Sequence, residues 1–305
     1  MFYRHLTLMR FSPAVAADLV QRLAEGIAEH PLRACGPLEM YTKGFVPPVG
    51  DANAPMTADI NSCLFATVAG EDKLLPAAVL NDALRRKVQQ IAEEEGRKVG
   101  GRERKRIRED LLTELLPRAF VRRSITPAYV DTKDGWMVID TASRKQAESV
   151  LTQWREALGS FPAVPLAPEE GPRVLMTDWL ANGNLPAGFA LGDECELRDP
   201  ATATGAIVRA RRQDLDAEEV KEHLRNGKQV FALGLVFDGR ISFVLGEDLS
   251  VRKLRFLDVV MDQLGDDMQD AETEATATWW LMTAELRRML DKLVDVFGLP
   301  RPADL

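Results

Sequence analysis

Residues 230–246 read VFALGLVFDGRISFVLG, two apolar runs separated by Asp238-Gly239. An Asp-Gly pair between two such runs is typical of a tight β-hairpin, because its turn positions need positive φ angles. Residues 129–140 have the same pattern around Asp134-Gly135. Two hairpins separated by helical patterns predict antiparallel sheets with packed helices, which is the α+β fold class.

Two helix start signals follow predicted strands. Ser143 is a good N-cap for a helix that we expect to reach about Leu158. Asp216 with Glu219 three residues later forms a capping-box pattern at the start of another helix, after a predicted strand at 206–211.

The final helical pattern runs from about Thr276 to Phe297 and contains the pair Trp279-Trp280. Its apolar positions are Leu281, Leu286, Leu290 and Leu293. No cation flanks the two tryptophans, so we expect them to be core or interface anchors rather than a platform on which bases stack.

Prolines are concentrated in residues 159–172, which are the best candidate for a linker. We therefore expect an N-terminal α+β lobe at 1–165 and a C-terminal α+β lobe at 166–305. A helical hairpin is predicted as an insertion at about 73–118, since two apolar helical series are interrupted there by Gly100-Gly101.

A basic island, Arg85–Arg123, lies inside this acidic chain. It holds 13 lysines and arginines against 7 acidic residues, whereas the whole chain has a net charge of −8. Such an island can supply salt-sensitive, sequence-independent contacts to the phosphates of a nucleic acid. A solvated helix surface is the alternative.

Within the island, the second predicted helix carries cations on the side opposite its apolar residues. Arg102 and Arg106 point away from the apolar arc and Lys105 lies near its edge, but Glu109 and Asp110 share the polar face. The candidate DNA-binding residues of the hairpin are Arg97, Lys98, Arg102, Lys105 and Arg106.

Two further groups of cations follow the hairpin. Arg118, Arg122 and Arg123 surround Phe120, which is either a core residue with charged neighbours or an apolar knob at a contact between subunits. The run of Arg209, Arg211, Arg212 and Gln213 could bind phosphates beside a helix N-terminus, or could be an exposed strand end.

Catalytic and cofactor motifs are absent from the sequence. Three cysteines and three histidines are too scattered for a disulfide framework or a zinc site, so we expect no metal and no cofactor. No apolar run approaches the roughly 20 residues that span a bilayer, and we expect a cytoplasmic protein. One enzymatic alternative is a metal-dependent nuclease centred on Asp214–Lys221.

Five motifs resemble those of the bacterial RdgC family of recombination-associated proteins, and they occur in order along essentially the whole chain. They are Lys43–Gly50 (KGFVPPVG), Lys73–Pro76 (KLLP), Leu115–Phe120 (LLPRAF), Leu158–Leu166 (LGSFPAVPL) and Arg209–Leu215 (RARRQDL).

This resemblance implies a non-enzymatic DNA-binding protein that associates with the nucleoid. It implies a ring-shaped homodimer whose basic hole accommodates double-stranded DNA, possibly also single-stranded DNA, with little sequence preference. It further implies that the protein restrains RecA-dependent recombination by competing for DNA. A protein that contacts RecA directly and needs no DNA is a third alternative.

The resemblance also assigns roles to individual residues. Phe120 matches an aromatic residue at a subunit contact that closes the ring, and Arg118, Arg212 and Gln213 match positions implicated in DNA contact. Residues 93–106 depart from the family pattern, because Glu93-Glu94-Glu95 and Gly100-Gly101 replace a more continuous lysine-rich stretch.

Overall fold

A computed structural model describes residues 1–12, 19–51, 53–168, 171–201, 205–265 and 270–300. Its strands are β1 (Thr7–Arg10), β2 (Tyr41–Val46), β3 (Ala58–Ile60), β4 (Cys63–Leu74), β5 (Phe120–Asp131), β6 (Trp136–Ile139), β7 (Val164–Pro165), β8 (Phe189–Arg198), β9 (Ile207–Arg211), β10 (Gln229–Phe237), β11 (Ile241–Gly246) and β12 (Val251–Phe256). Its helices are α1 (Leu19–Glu29), α2 (Ala77–Glu95), α3 (Gly101–Leu115), α4 (Arg144–Leu158), α5 (Pro172–Asn182), α6 (Glu218–Arg225), α7 (Asp258–Met261) and α8 (Ala271–Phe297).

The chain forms two compact units. Unit 1 comprises Met1–Glu29, Pro47–Thr67 and Thr126–Leu305, and unit 2 comprises His30–Val46 and Val68–Ile125. Strands β4 and β5 each contribute residues to both units. The division into lobes 1–165 and 166–305 stays a prediction.

Unit 1 contains a five-stranded sheet in the order β12-β11-β10-β8-β9, in which every neighbouring pair is antiparallel. A second set of strands in unit 1 includes β6, β1 and β7 in that order, again antiparallel. Leu6 joins the two sets by exchanging backbone hydrogen bonds of 2.7 and 3.0 Å with Val251. The predicted α+β class with antiparallel sheets is confirmed.

Both predicted hairpins are present in unit 1. Asp238 and Gly239 have φ angles of 49° and 64°, and they connect β10 to β11 as expected from their tolerance of the left-handed region. Gly135, with φ 68°, lies in the turn between β5 and β6. Ser143 is the N-cap of α4, since its hydroxyl accepts a hydrogen bond from the Gln146 amide.

The core of unit 1 packs around the long helix α8. The four predicted apolar positions are all buried: Leu281, Leu286, Leu290 and Leu293. Trp279 is buried and stacks on Phe65 with ring centroids 4.6 Å apart, which confirms its predicted role as a core anchor. Trp280, by contrast, is 55% exposed.

The predicted capping box before α6 is wrong. Ala217, not Asp216, occupies the N-cap position, and no side chain caps that end of the helix. Asp216 is instead in an ion pair with Lys221, at 3.4 Å. Glu219 accepts a hydrogen bond from the Gln213 side chain and therefore does not reach back to the helix start.

Unit 2 combines β2, the second half of β4 and the first half of β5 with the helices α2 and α3. The two helices pack on one another, and residues from the start of α2 and the later turns of α3 line one cavity of about 290 Å³. This is the predicted antiparallel helical hairpin. Its second helix has no fully buried residue, so its apolar arc is only partly covered within the unit.

Cys63 and Cys195 are buried in unit 1 as expected, and Cys35 in unit 2 is half-buried. Burial raises the pKa of the Cys195 thiol to about 11, which makes it unreactive at neutral pH. Among the described helices, none is both long enough and apolar enough to cross a membrane.

Candidate nucleic-acid interface

The turn of the helical hairpin depends on glycine. Helix α2 ends at Gly96, whose φ of 65° lies in the left-handed region, and its N–H donates to the carbonyl oxygen of Ala92 at 3.1 Å. Gly100 precedes α3 with an ordinary φ of −74°. The chain therefore reverses within residues 96–100, and Arg97 and Lys98 lie in the reversal.

Arg97 is neutralised within the turn. Its two terminal nitrogens donate to the two carboxylate oxygens of Glu103, both at 2.7 Å, and its Nε donates to Glu95 at 2.5 Å. The hydrogen bonds from these carboxylates raise the pKa of the Arg97 guanidinium, chiefly through Glu103. Arg97 therefore ties the first turn of α3 to the end of α2, and a phosphate would have to compete with two carboxylates for it.

The other predicted cations of the hairpin are more accessible. Lys98, Arg102 and Arg106 are exposed and form no ion pair with any described residue. Lys105 is 81% exposed and its ammonium is 4.0 Å from Glu109, which makes a weak pair in water. Arg102 and Arg106 are four residues apart, so their side chains leave the same face of α3.

The first half of β5 continues this exposed surface. Arg118 lies in a 3₁₀ turn, Leu116–Arg118, and residues 120–123 are all exposed although they alternate in direction along a strand. Arg123 has no ion pair within the described part of the chain, and Arg122 lies 3.7 Å from Asp72. Phe120 is 83% exposed, which excludes its interpretation as a core residue.

Lys73 positions this turn, a role that its place in the KLLP motif did not predict. Its ammonium is buried and donates to the carbonyl oxygens of Pro37 at 2.7 Å and Leu116 at 3.0 Å. The sequence feature that could have identified this residue is a lysine at the end of the apolar strand β4. Because it holds the carbonyl of Leu116, it fixes the chain immediately before Arg118.

In unit 1, the cations of residues 209–212 lie at the end of the edge strand β9. Arg209 donates to Glu196 at 2.7 Å, and Glu196 also pairs with Arg198. Burial alone would raise the pKa of Glu196, but the hydrogen bonds from Arg209 and Arg198 lower it overall. Arg209 is therefore partly neutralised.

Arg211 and Arg212 are exposed and have no ion pair in the part of unit 1 that the structure describes. Arg212 has a φ of 53°, an uncommon conformation for a residue with a side chain. Gln213 follows, and its side-chain amide nitrogen donates to the Glu219 carboxylate at 2.8 Å. Unit 1 thus presents two accessible guanidinium groups at one strand end.

The predicted position of these arginines next to a helix N-terminus stays a prediction; the neighbouring Gln213 contacts Glu219 in the first turn of α6. Helix α6 begins at Glu218, seven residues after Arg211, and Glu218 and Glu219 occupy its first turn. These acidic side chains already complement the positive end of the helix dipole. Phosphate binding by Arg211 and Arg212 would therefore rely on the guanidinium groups themselves.

The carboxylates of the nuclease alternative are each engaged locally. Asp214 accepts a hydrogen bond from the amide of Asp216 at 2.9 Å, while Asp216 and Glu219 bind Lys221 and Gln213 respectively. Across the described residues, no group of three or more His, Cys, Asp or Glu side chains is arranged to hold a metal ion.

The predicted site residues fall into two groups. The nine in unit 2 are Arg97, Lys98, Arg102, Lys105, Arg106, Arg118, Phe120, Arg122 and Arg123. The four in unit 1 are Arg209, Arg211, Arg212 and Gln213. Their use in binding stays a prediction, but seven of the cations are exposed and unpaired among the described residues: Lys98, Arg102, Arg106, Arg118, Arg123, Arg211 and Arg212.

Comparison with known proteins agrees with the resemblance in the motifs. A family model described as "Putative exonuclease, RdgC" matches residues 1–299. The chain is 46% identical over 303 residues to the recombination-associated protein RdgC of Xanthomonas campestris pv. campestris, with 99% of both chains covered. It is 45% identical over 303 residues to the protein of that name from Stenotrophomonas maltophilia, again with 99% of each covered. The Xanthomonas oryzae pv. oryzae protein is 46% identical over 291 residues, or 95% of each chain.

Proposed function

Since the chain belongs to the RdgC family of recombination-associated proteins, we propose that it binds double-stranded DNA without sequence preference and thereby restrains recombination. The observation that carries the proposal is the set of seven exposed cations that form no ion pair with any residue the structure describes, in a protein of net charge −8. The protein has more carboxylates than cations, yet these cations pair with none of those that the structure describes. We therefore favour an external polyanion as their partner.

The positions of these cations favour contact with the DNA backbone over hydrogen bonds to base edges. They lie in a hairpin turn, on a mixed helix face and at two strand ends, and α3 also carries Glu109 and Asp110. A helix inserted in the major groove would bring those acids close to phosphates. Contacts to phosphate carry no direct sequence information, so the same affinity is expected for unrelated duplexes.

A homodimeric ring around the duplex is the second part of the proposal. Its support is the exposure of apolar side chains at the start of β5: Phe120 is 83% exposed on one face of the strand, and Val121 and Ile125 are 47% and 58% exposed on the other. A large aromatic side chain exposed to this degree is a candidate contact for a second subunit. A second copy of this chain that covers Phe120 would close the ring and keep it on DNA.

Binding can be tested by fluorescence anisotropy with two labelled duplexes of unrelated sequence, from about 50 to 200 mM salt. The proposal requires similar affinities for the two duplexes and a fall of orders of magnitude across that range. Retention on circular but not on linear DNA at high salt would support the ring. Equal dissociation from both forms would count against enclosure.

The effect on recombination is tested in a strand-exchange reaction with purified RecA. Competition for DNA predicts inhibition that depends on the ratio of protein to duplex and that disappears when excess competitor duplex is added. A protein that contacts RecA directly would inhibit regardless of competitor. A gel shift without RecA separates the two mechanisms further.

We also propose that the chain does not cleave DNA, although the matching family description contains the word exonuclease. The local partners of Asp214, Asp216 and Glu219 support this. End-labelled linear duplex and supercoiled plasmid, incubated with the protein and Mg²⁺ or Mn²⁺, provide the test. Release of nucleotides that is lost in Asp214→Asn would overturn it.

A further inference from the structure

A groove of about 1090 Å³ crosses the five-stranded sheet of unit 1, and all five strands contribute lining residues. Arg211 and Arg212 lie at one side, at the end of β9, and Lys253 and Arg255 lie at the other, on β12. Strands β9 and β12 are the two edges of this sheet, four strand spacings apart, or about 19 Å. The groove therefore has cations at both edges, and the carboxylates of Asp193, Glu194 and Asp214 also line it.

On each side of the groove, one cationic residue has an unfavourable backbone conformation. Arg212 has φ 53° and Lys253 has φ 51°, both in the left-handed region that residues with a Cβ usually avoid. The pairing of β11 with β12 is irregular at this point, as in a β-bulge, which redirects a side chain. Strained residues of this kind concentrate at functional sites.

Two glycines, Gly192 and Gly234, expose bare backbone to the groove. A Cβ on Gly192 would lie 3.0 Å from the carbonyl carbon of Gly234, and one on Gly234 would lie 2.9 Å from the carbonyl oxygen of Glu194. Side chains are excluded from both positions by main-chain atoms, which cannot move away cheaply. Phe243 contributes to the lining but is buried, so it offers no exposed ring for a base to stack on.

The carboxylate of Glu194 neutralises one of the four cations, Lys253. Glu194 lies on β8 directly opposite Arg211, and its carboxylate forms an ion pair with the ammonium of Lys253 across the groove. The Glu194 side chain is only 19% exposed, whereas Lys253 is 49% exposed. Arg255 is exposed and has no ion pair within the described portion of unit 1. The ion pair therefore keeps Lys253 neutralised while Arg255 is available.

We infer that this groove is a binding site for the phosphate backbone of a nucleic acid, in which Arg255 and Lys253 act opposite Arg211 and Arg212 and Glu194 holds Lys253 until a phosphate replaces it. The inference extends the proposed function, on which it rests, to residues outside the family motifs. Cations on both edges, exposed backbone at two glycines and the lack of an exposed aromatic ring among the lining residues fit a phosphodiester backbone better than unstacked bases.

The test is duplex binding by the full-length protein, measured by anisotropy over a range of salt concentrations. Arg255→Ala should weaken binding on the order of threefold to tenfold and reduce the salt slope by about one, as for one lost phosphate contact. Glu194→Gln should strengthen binding by roughly threefold, because a repelling charge is removed and Lys253 is released. Circular dichroism and thermal melting show whether each variant folds.

Matched controls lie outside the groove in unit 1. Lys133→Ala removes one exposed cation from the β5–β6 turn, and Glu148→Gln removes one exposed carboxylate from α4. Both should bind as the wild type does.

The outcomes separate this inference from the proposed function. If Arg212→Ala weakens binding while Arg255→Ala and Glu194→Gln leave it unchanged, the groove is not a binding site and the proposed function stands. If the wild-type protein does not bind duplex at all, both are overturned. Equal effects of Glu194→Gln and Glu148→Gln would show only a change in net charge and would also overturn the inference.

Discussion

The ammonium group of Lys73 donates a hydrogen bond to the carbonyl oxygen of Leu116 at 3.0 Å, in a buried position directly before Arg118. The same group donates to Pro37 at 2.7 Å. A buried charge is tolerated only when it is well solvated by polar partners, and two carbonyl oxygens provide that here. Lys73 thus acts as a positioning residue for the turn that carries a predicted DNA contact.

Lys73→Met should therefore destabilise unit 2 by about 1–3 kcal/mol, because the charge-assisted hydrogen bonds from the ammonium to the carbonyl oxygens of Leu116 and Pro37 are lost. The measurement is urea unfolding. Lys105→Met, which changes an exposed lysine in the same unit, should shift the free energy of unfolding by less than about 0.5 kcal/mol. Equal stability of the two variants would show that the buried hydrogen bonds are unimportant.

Phe120→Ser should weaken self-association without lowering the stability of the folded monomer. The ring is 83% exposed within the chain, so its removal leaves no cavity there. Sedimentation velocity over a dilution series gives the dimer dissociation constant. Val174→Ser, at a 63% exposed apolar position on α5, is the matched control and should leave the dissociation constant unchanged.

Arg212→Ala should weaken binding of all duplex sequences alike, by roughly threefold to tenfold at moderate salt, because a phosphate contact is lost. Arg212→Gly should weaken binding as much but unfold at a higher temperature than Arg212→Ala, since glycine adopts a φ of 53° without strain. A loss that depends on the DNA sequence would contradict the assignment of Arg212 to the backbone.

Gly96→Ala should destabilise the helical hairpin by about 1 kcal/mol, because alanine is disfavoured at φ 65°. Hydrogen exchange of the α2 and α3 amides would report the change locally. The control is Gly101→Ala, in the first turn of α3, where φ is not positive and an added Cβ meets open space. That variant should be as stable as the wild type or slightly more stable.

Acid should weaken unit 2 through Glu39. Hydrogen bonds from Arg33, at 2.6 Å each, and from the Gly36 amide lower the pKa of Glu39 from 4.5 to about 2. Because the folded pKa is below the unfolded one, the stabilisation is complete above about pH 4.5 and is lost as the pH falls towards 2.

Glu39→Gln should accordingly flatten the pH dependence of unfolding between pH 5 and pH 2. Urea midpoints at several pH values provide the measurement, with Glu148→Gln as the control that keeps the wild-type slope. High salt should reduce the difference, since the Arg33–Glu39 pair is exposed.

The sequence by itself determined the local features of this protein. Turn chemistry set the hairpins at Asp134-Gly135 and Asp238-Gly239, helical periodicity set the buried face of α8, and the five motifs identified the family. Such features depend on residues that are near one another in the chain, so their signals can be recognised directly. The capping box at Asp216 is not formed, because the helix starts one residue later, with Ala217 as its N-cap, and the Asp216 carboxylate pairs with Lys221.

Only the tertiary structure decided which charged side chains are accessible to a ligand. It paired Arg97 and Arg209 with carboxylates, left Arg211 and Arg212 free of ion pairs with described residues, and buried Lys73. It also brought Glu194 to Lys253, 59 residues away, across the sheet groove. Electrostatic partners are chosen by distance in space, and strand order places residues from distant parts of the chain side by side, which composition and periodicity do not encode.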